Sequence, residues 1–147
     1  MENIKINIKR PEEKKLPSNL EAEQALIGSV LVNNDIIDEI SNIVNSTKFF
    51  DPIHRKIFEV IENLNNKGMI ANPITLKNYF ENESGLSEVG GVDYLIKLTR
   101  FSSSVRQAID YAKVVHEMYI KRELINISEN ISEDSQNKEL EKTGENI

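Results

Sequence analysis

The sequence predicts an all-α fold: a small bundle of short helices forms a head, and one long C-terminal helix protrudes from it. Three observations carry this. Apolar residues recur at three- and four-residue spacing in successive segments, most of those segments open on a helix-start signal, and none alternates strongly enough to be assigned as a strand. The last segment contains neither Pro nor Gly from Ser104 until Gly144.

Residues 1–15, "MENIKINIKRPEEKK", show neither a sustained period nor a cap, and are expected to form a flexible arm. Order is expected to begin at Ser18, where Ser18-x-x-Glu21 is a capping-box pattern. Behind it Ala22, Ala25, Leu26, Ser29 and Val30 share a face that Ile27 and Leu31 widen. Gly28 interrupts this helix at a cost of roughly 1 kcal/mol against Ala. A second helix crossing close to the backbone explains it better than a ligand does.

A second helix is read in "NDIIDEISNIV", whose Ile36, Ile37, Ile40, Ile43 and Val44 form a narrow stripe. Asp51-Pro52 opens a third, with an Asp N-cap and Pro at the first helical position, where its missing N–H costs nothing. Its stripe is Ile53, Ile57, Val60, Ile61 and Leu64, and Gly68 ends it. Asn72-Pro73 repeats the signal for a fourth helix through Leu76, Tyr79 and Phe80, which Gly85 is expected to close. Gly90-Gly91 then marks a bend before a short helix carrying Tyr94, Leu95 and Leu98.

Ser104-x-x-Gln107 is another capping box, and the helix behind it is expected to run from Val105 to about Ile131, a rod on the order of 40 Å. Val105, Ala108, Ile109, Ala112 and Val115 can seal the head. Ile120, Leu124, Ile127 and Ile131 continue an apolar seam beyond it, and such a seam needs something else to pack on, with self-association the natural candidate. The remaining "SEDSQNKELEKTGENI" is polar and acidic and is expected to be a linker or frayed helix end. The expected organisation is an arm over 1–15, a domain over 16–132 with its head in 16–101 and its long helix in 104–132, and a tail over 133–147.

Composition limits what this fold can do. Hydrophobic residues make up 39% of the 147 and charged residues 29%, which is the range of soluble globular proteins. No apolar run approaches the roughly 18 residues of a membrane span, and the N-terminus lacks a continuous hydrophobic region, so a cytoplasmic location is expected. The absence of Cys excludes disulfides, thiolate metal sites and a Cys nucleophile. Net charge is -6: residues 1–15 carry +2, residues 16–128 carry -4 and residues 129–147 another -4. That balance shows no basic face for holding DNA by phosphate neutralisation, so DNA is expected to be contacted indirectly or weakly.

Candidate chemistry is sparse. His54 follows the Ile53 stripe and His116 sits in the long helix beside Glu117; the sequence places neither a partner nor a pocket for either, so both read as structural, His54 at a surface or boundary. Asp35, Asp38, Glu39, Glu81 and Glu83 form no metal-ligand spacing and fit solvated faces. Phe49-Phe50 has no interleaved basic residues for base stacking and reads as a core anchor. Gly90-Gly91 lacks the rest of a phosphate-binding loop. Catalytic, cofactor and metal sites are all expected to be absent.

In order along the chain these segments resemble the N-terminal domain of DnaB-type replicative DNA helicases. "Pro17-x-x-x-Glu21-Ala22-Glu23-Gln24-Ala25-Leu26-Ile27-Gly28" is similar to that family's opening signature. "Phe49-Phe50-Asp51-Pro52-Ile53-His54-Arg55-Lys56-Ile57-Phe58" is similar to its aromatic, His and Ile-Phe segment. "Gly90-Gly91-x-x-Tyr94-Leu95-x-x-Leu98", "Tyr111-Ala112-x-x-Val115" and "Arg122-Glu123-Leu124-Ile125" follow at the expected distances. These positions are landmarks of the family and mainly structural.

The resemblance implies the collar half of a ring helicase, with a helical head and a helical hairpin. In the family, hairpins pair, dimers assemble into a threefold collar on the hexamer, and the collar docks the C-terminal helicase-binding domain of primase. Val105 to Ile131 would be the first hairpin helix. ATP and magnesium would belong to a RecA-like motor domain, and this chain alone would not be an enzyme. Two other classes are weighed beside it. A stand-alone nucleic-acid-binding or regulatory helical protein would, as a binder, use Lys5, Lys9, Arg10, Lys14 and Lys15, with steeply salt-dependent binding, and a small hydrolase would centre on His54 or His116.

Overall fold

The computed structural model describes residues 16–81, 84–88 and 90–145. They form seven α-helices and no strand among the described residues: α1 Leu20–Val32, α2 Ile37–Ser41, α3 Pro52–Asn66, α4 Pro73–Phe80, α5 Ser84–Glu88, α6 Val92–Thr99 and α7 Val105–Glu145. The all-α head with a protruding C-terminal helix is as the sequence predicts. The expected arm over 1–15 lies outside the described residues.

Several element boundaries differ from expectation for local reasons. The N-cap of α1 is Asn19, not Ser18: its Oδ1 accepts from the Ala22 N–H at 2.9 Å, leaving Glu21 exposed on the first turn. Two good capping residues are adjacent here, and the second takes the role. The single helix expected over Asn34–Val44 is broken into a 3-10 turn at Asn34–Ile36, the short α2 and a second 3-10 turn at Ser46–Lys48. Asn33 accepts from the Asp35 N–H, Ser41 donates back to the Ile37 carbonyl and Asn45 caps the second turn. Such short polar side chains offer the backbone partners that compete with a continuous helix. The stripe itself holds, because Ile36, Ile37, Ile40 and Val44 are all buried.

Asp51 caps α3 through the Ile53 N–H at 2.8 Å, with Pro52 at the first position. Asn72 and Thr75 form a reciprocal capping box at α4. Gly85 does not close α4 but lies within α5, and Tyr79 points outward, with the Lys67 ammonium 5.8 Å from its ring centroid. Gly90 and Gly91 both adopt positive φ, 112° and 63°, a turn that an L side chain would strain, and Gly91 caps α6.

The core is built around α1, which packs on α3, α6 and α7. Gly28 marks the tightest approach, since a Cβ there would fall 1.9 Å from the Leu98 carbonyl oxygen at the end of α6. Ser29, buried beside it, donates to the Ala25 carbonyl and accepts from the Ser103 N–H at 2.9 Å, fixing the connection into α7. Asn34 ties a second connection by accepting from the Ala71 N–H and donating to the Ala71 carbonyl.

Helix α7 is longer than expected. It does not stop near Ile131 but runs for 41 residues, about 60 Å, so residues 133–145, expected as a linker or frayed end, are helical. No breaker interrupts them until Gly144. Ser104 and Gln107 cap its start reciprocally, at 3.3 Å in each direction. Ala108, Ala112 and Val115 seal the head, whereas Val105 is exposed because the cap region lies at the edge of the core.

Candidate functional site

The surface that distinguishes this fold is the outer part of α7. Ile120, Leu124, Ile127 and Ile131 are 41%, 58%, 51% and 60% exposed, large apolar side chains on an otherwise polar rod. With about 3.6 residues per turn they share one side of the helix, turned on the order of 130° from the side that carries Ala108, Ala112, Val115 and Arg122. The head therefore cannot cover them. Glu117 and Lys121 pair across one turn beside the row at 3.4 Å.

Arg122 holds the inner side of the rod to the head. It continues the spacing of the core stripe Ala108, Ala112, Val115 and Tyr119, and is only 8% exposed. Its Nη1 donates to the Pro17 carbonyl at 2.7 Å and its Nη2 to the Lys48 carbonyl at 2.8 Å, while the guanidinium carbon sits 5.2 Å from the Phe50 ring centroid. One fork thus joins the entry to α1, the turn before α3 and the rod. Burial pushes the guanidinium below its ordinary pKa, and the Arg55 charge adds to that, against the Glu23 carboxylate. Lys48 adds a second tie, donating from Nζ to the Ile43 carbonyl and to His116 Nδ1, both at 3.1 Å. An ammonium can only donate, so His116 accepts at Nδ1.

The sequence reading of His54 needs correction. It is not at a surface or boundary but 1% exposed, and it has partners. His54 Nδ1 donates to Glu23 Oε1 at 2.8 Å, and Nε2 accepts from the Tyr94 hydroxyl at 2.6 Å, which receives the Gln24 amide at 3.4 Å. Glu23, itself 1% exposed, also accepts from the Phe50 and Asp51 N–H groups at 2.7 and 3.2 Å. A carboxylate, an imidazole and a phenol in series could relay a proton, but both ring nitrogens are engaged inside the core, where no substrate can reach them. The arrangement instead fixes the start of α3 against α1 and α6. Burial raises the Tyr94 pKa above its ordinary value, the Gln24 hydrogen bond lowers it, and the Asp51 and Glu23 charges raise it.

The remaining landmarks fall mostly inside. Phe49, Phe58 and Leu95 are buried, the two rings with centroids 4.9 Å apart, so Phe49 is a core anchor as read; Phe50 is half-buried beneath Arg122. Gly28 makes the close helix approach and Gly90 and Gly91 the bend, while Glu123 is half-buried and Leu124 exposed. Sequence reasoning missed Glu23 and Arg122 as buried charges. A signal was present: each stands at a core spacing, Glu23 with Leu26, Ile27 and Val30, and Arg122 with Val115.

Fold and surface together define an all-helical head-and-rod domain. The profile of the DnaB-like helicase N terminal domain matches residues 15–117, and the chain belongs to that family. It is similar to the replicative DNA helicases DnaB of Rickettsia felis, at 43% identity over 126 residues, and of Rickettsia bellii, at 44%; these alignments cover 86% of this chain but only 26% and 25% of those proteins. DnaB of Pasteurella multocida is 38% identical over 120 residues, 80% of this chain and 25% of that protein. The chain therefore spans about a quarter of the length of the curated relatives it matches. Among solved structures, the N-terminal domain of DnaB helicase from Mycobacterium tuberculosis superposes with a TM-score of 0.74 at 25% identity, covering 81% of this chain and 86% of that one. Among the described residues no helix is long and apolar enough to cross a membrane.

Proposed function

We propose that this domain acts as the collar of a hexameric replicative helicase in the cytoplasm: it organises subunits through the rod and recruits primase, by its C-terminal domain, to the replication fork. The observation that carries this reading is the row Ile120, Leu124, Ile127 and Ile131, exposed on the side of the rod that its own head cannot reach. Pairing two such rods would remove the row from water, at a gain of about 25 cal/mol per Å2 of apolar area buried. ATP hydrolysis and unwinding are assigned to a motor domain with its own ATP and magnesium, and DNA contact to that motor rather than to this net-acidic domain.

The test is solution mass by light scattering across a concentration series. Dimers or higher multiples of two support the collar reading, and primase C-terminal domain should then bind the associated form in a calorimetric titration. A strict monomer at millimolar concentration would remove the basis for assembly through this row.

A further inference from the structure

At the junction of head and rod lies a polar cleft of about 260 Å3, walled by Phe50 and Arg55 from the head side, by Tyr119, Arg122, Glu123 and Asn126 from α7, and by Leu16 at its edge. Two guanidiniums face it. Arg122 is buried, and its proximity to Arg55 is unfavourable enough to help lower its pKa. The Arg55 side chain is exposed and has no hydrogen-bond or ion-pair partner among the described residues. The Tyr119 hydroxyl and the Asn126 amide, on the same wall, are likewise unengaged there, and the Lys48 ammonium lies 5.9 Å from the centroid of the Tyr119 ring. Glu123 is the one carboxylate on the cleft's lining beside these two guanidiniums, and a planar guanidinium with free donors matches an oxyanion.

We propose that this cleft binds a small phosphate monoester, held by Arg55 and the free edge of Arg122, with Tyr119 and Asn126 donating to the remaining oxygens. On the cleft's lining Arg55 and Arg122 outweigh the carboxylate of Glu123 by one charge, which suits an anion. Three phosphate oxygens also use the neutral donors that a carboxylate would leave idle. The ligand would bridge α3 and α7, so its occupancy would stiffen the rod against the head.

The experiment is thermal melting and calorimetry of the full chain with inorganic phosphate and with thymidine monophosphate, against chloride and acetate at matched ionic strength. Phosphate should raise the melting temperature above the chloride control, and acetate should not. Arg55→Gln, at an exposed side chain that the fold does not use, should abolish the increment without lowering the unliganded melting temperature, since it removes a charge that repels Arg122. Glu123→Gln should tighten binding several-fold by removing the opposing charge. Tighter binding of thymidine monophosphate than of phosphate would assign a ring to the Phe50 side of the cleft, and equal binding would assign the phosphate group alone. The proposal is overturned if phosphate acts no better than chloride, if acetate matches it, or if Arg55→Gln retains the full shift.

Discussion

At the scale of single residues, the most consequential side chain is Glu23, a carboxylate at the centre of an apolar helix face. It satisfies three donors: two backbone N–H groups at the start of α3 and His54. Glu23→Ala leaves the buried His54 N–H and the two part-buried backbone N–H groups without an acceptor, and a cost of about 3 kcal/mol is expected, read as a shifted urea midpoint. Glu23→Gln, which keeps one carbonyl acceptor, should cost less than Ala. Tyr94 makes a second prediction, in pH. Its folded-state pKa lies above the ordinary 10.0, mainly through burial, so folding favours the protonated phenol. That contribution is complete below pH 10 and is lost as pH rises through the folded value. Tyr94→Phe should flatten this alkaline loss of stability, while costing about 1 kcal/mol at neutral pH for the missing hydrogen bond to His54.

At the scale of elements, the contact between α1 and α6 leaves no room for a side chain. Gly28→Ala would press a Cβ against the Leu98 carbonyl, and because backbone must move, a loss at or above the upper end of about 1–3 kcal/mol is expected in chemical denaturation. This contact was legible from one residue, a glycine inside an otherwise strong helix. The helix starts at Pro52, Pro73 and Val105 were legible too, because Asp51-Pro52, Asn72-Pro73 and Ser104 with Gln107 act on neighbours within three residues. What stayed hidden was non-local. His54 meets partners 31 and 40 residues away, and nothing near it in the chain announces them. The break in the second helix was hidden for the opposite reason: its apolar period was right, but Asn33, Ser41 and Asn45 compete for the backbone at close range.

At the scale of the whole molecule, the outer part of α7 carries apolar side chains that the head leaves exposed. Leu124 is 58% exposed, so Leu124→Asp should change head stability by no more than about 0.5 kcal/mol. It should nevertheless return the protein to monomer at concentrations where the parent associates, as read by light scattering. Unchanged mass would place the association face elsewhere; the expected seam residues are exposed, but exposure alone does not pair them. The length of α7 also explains why the exposed apolar row was readable while the end of the helix was not. Apolar spacing identifies the row, whereas the polar residues beyond Ile131 carry neither a stop signal nor an apolar face to mark where the helix ends.

The bond from Arg122 to the Pro17 carbonyl joins positions 105 residues apart. It makes the rod a clasp on the head's own beginning as well as an appendage to its end. Dissecting the chain at the loop before α7 would remove Ala108, Ala112, Val115 and this clasp together, exposing the inner side of α1. The smallest portion that keeps its interior closed therefore extends through the fifth turn of α7. The head cannot be separated from the rod without opening its own interior, because the inner side of α7 is one wall of that interior.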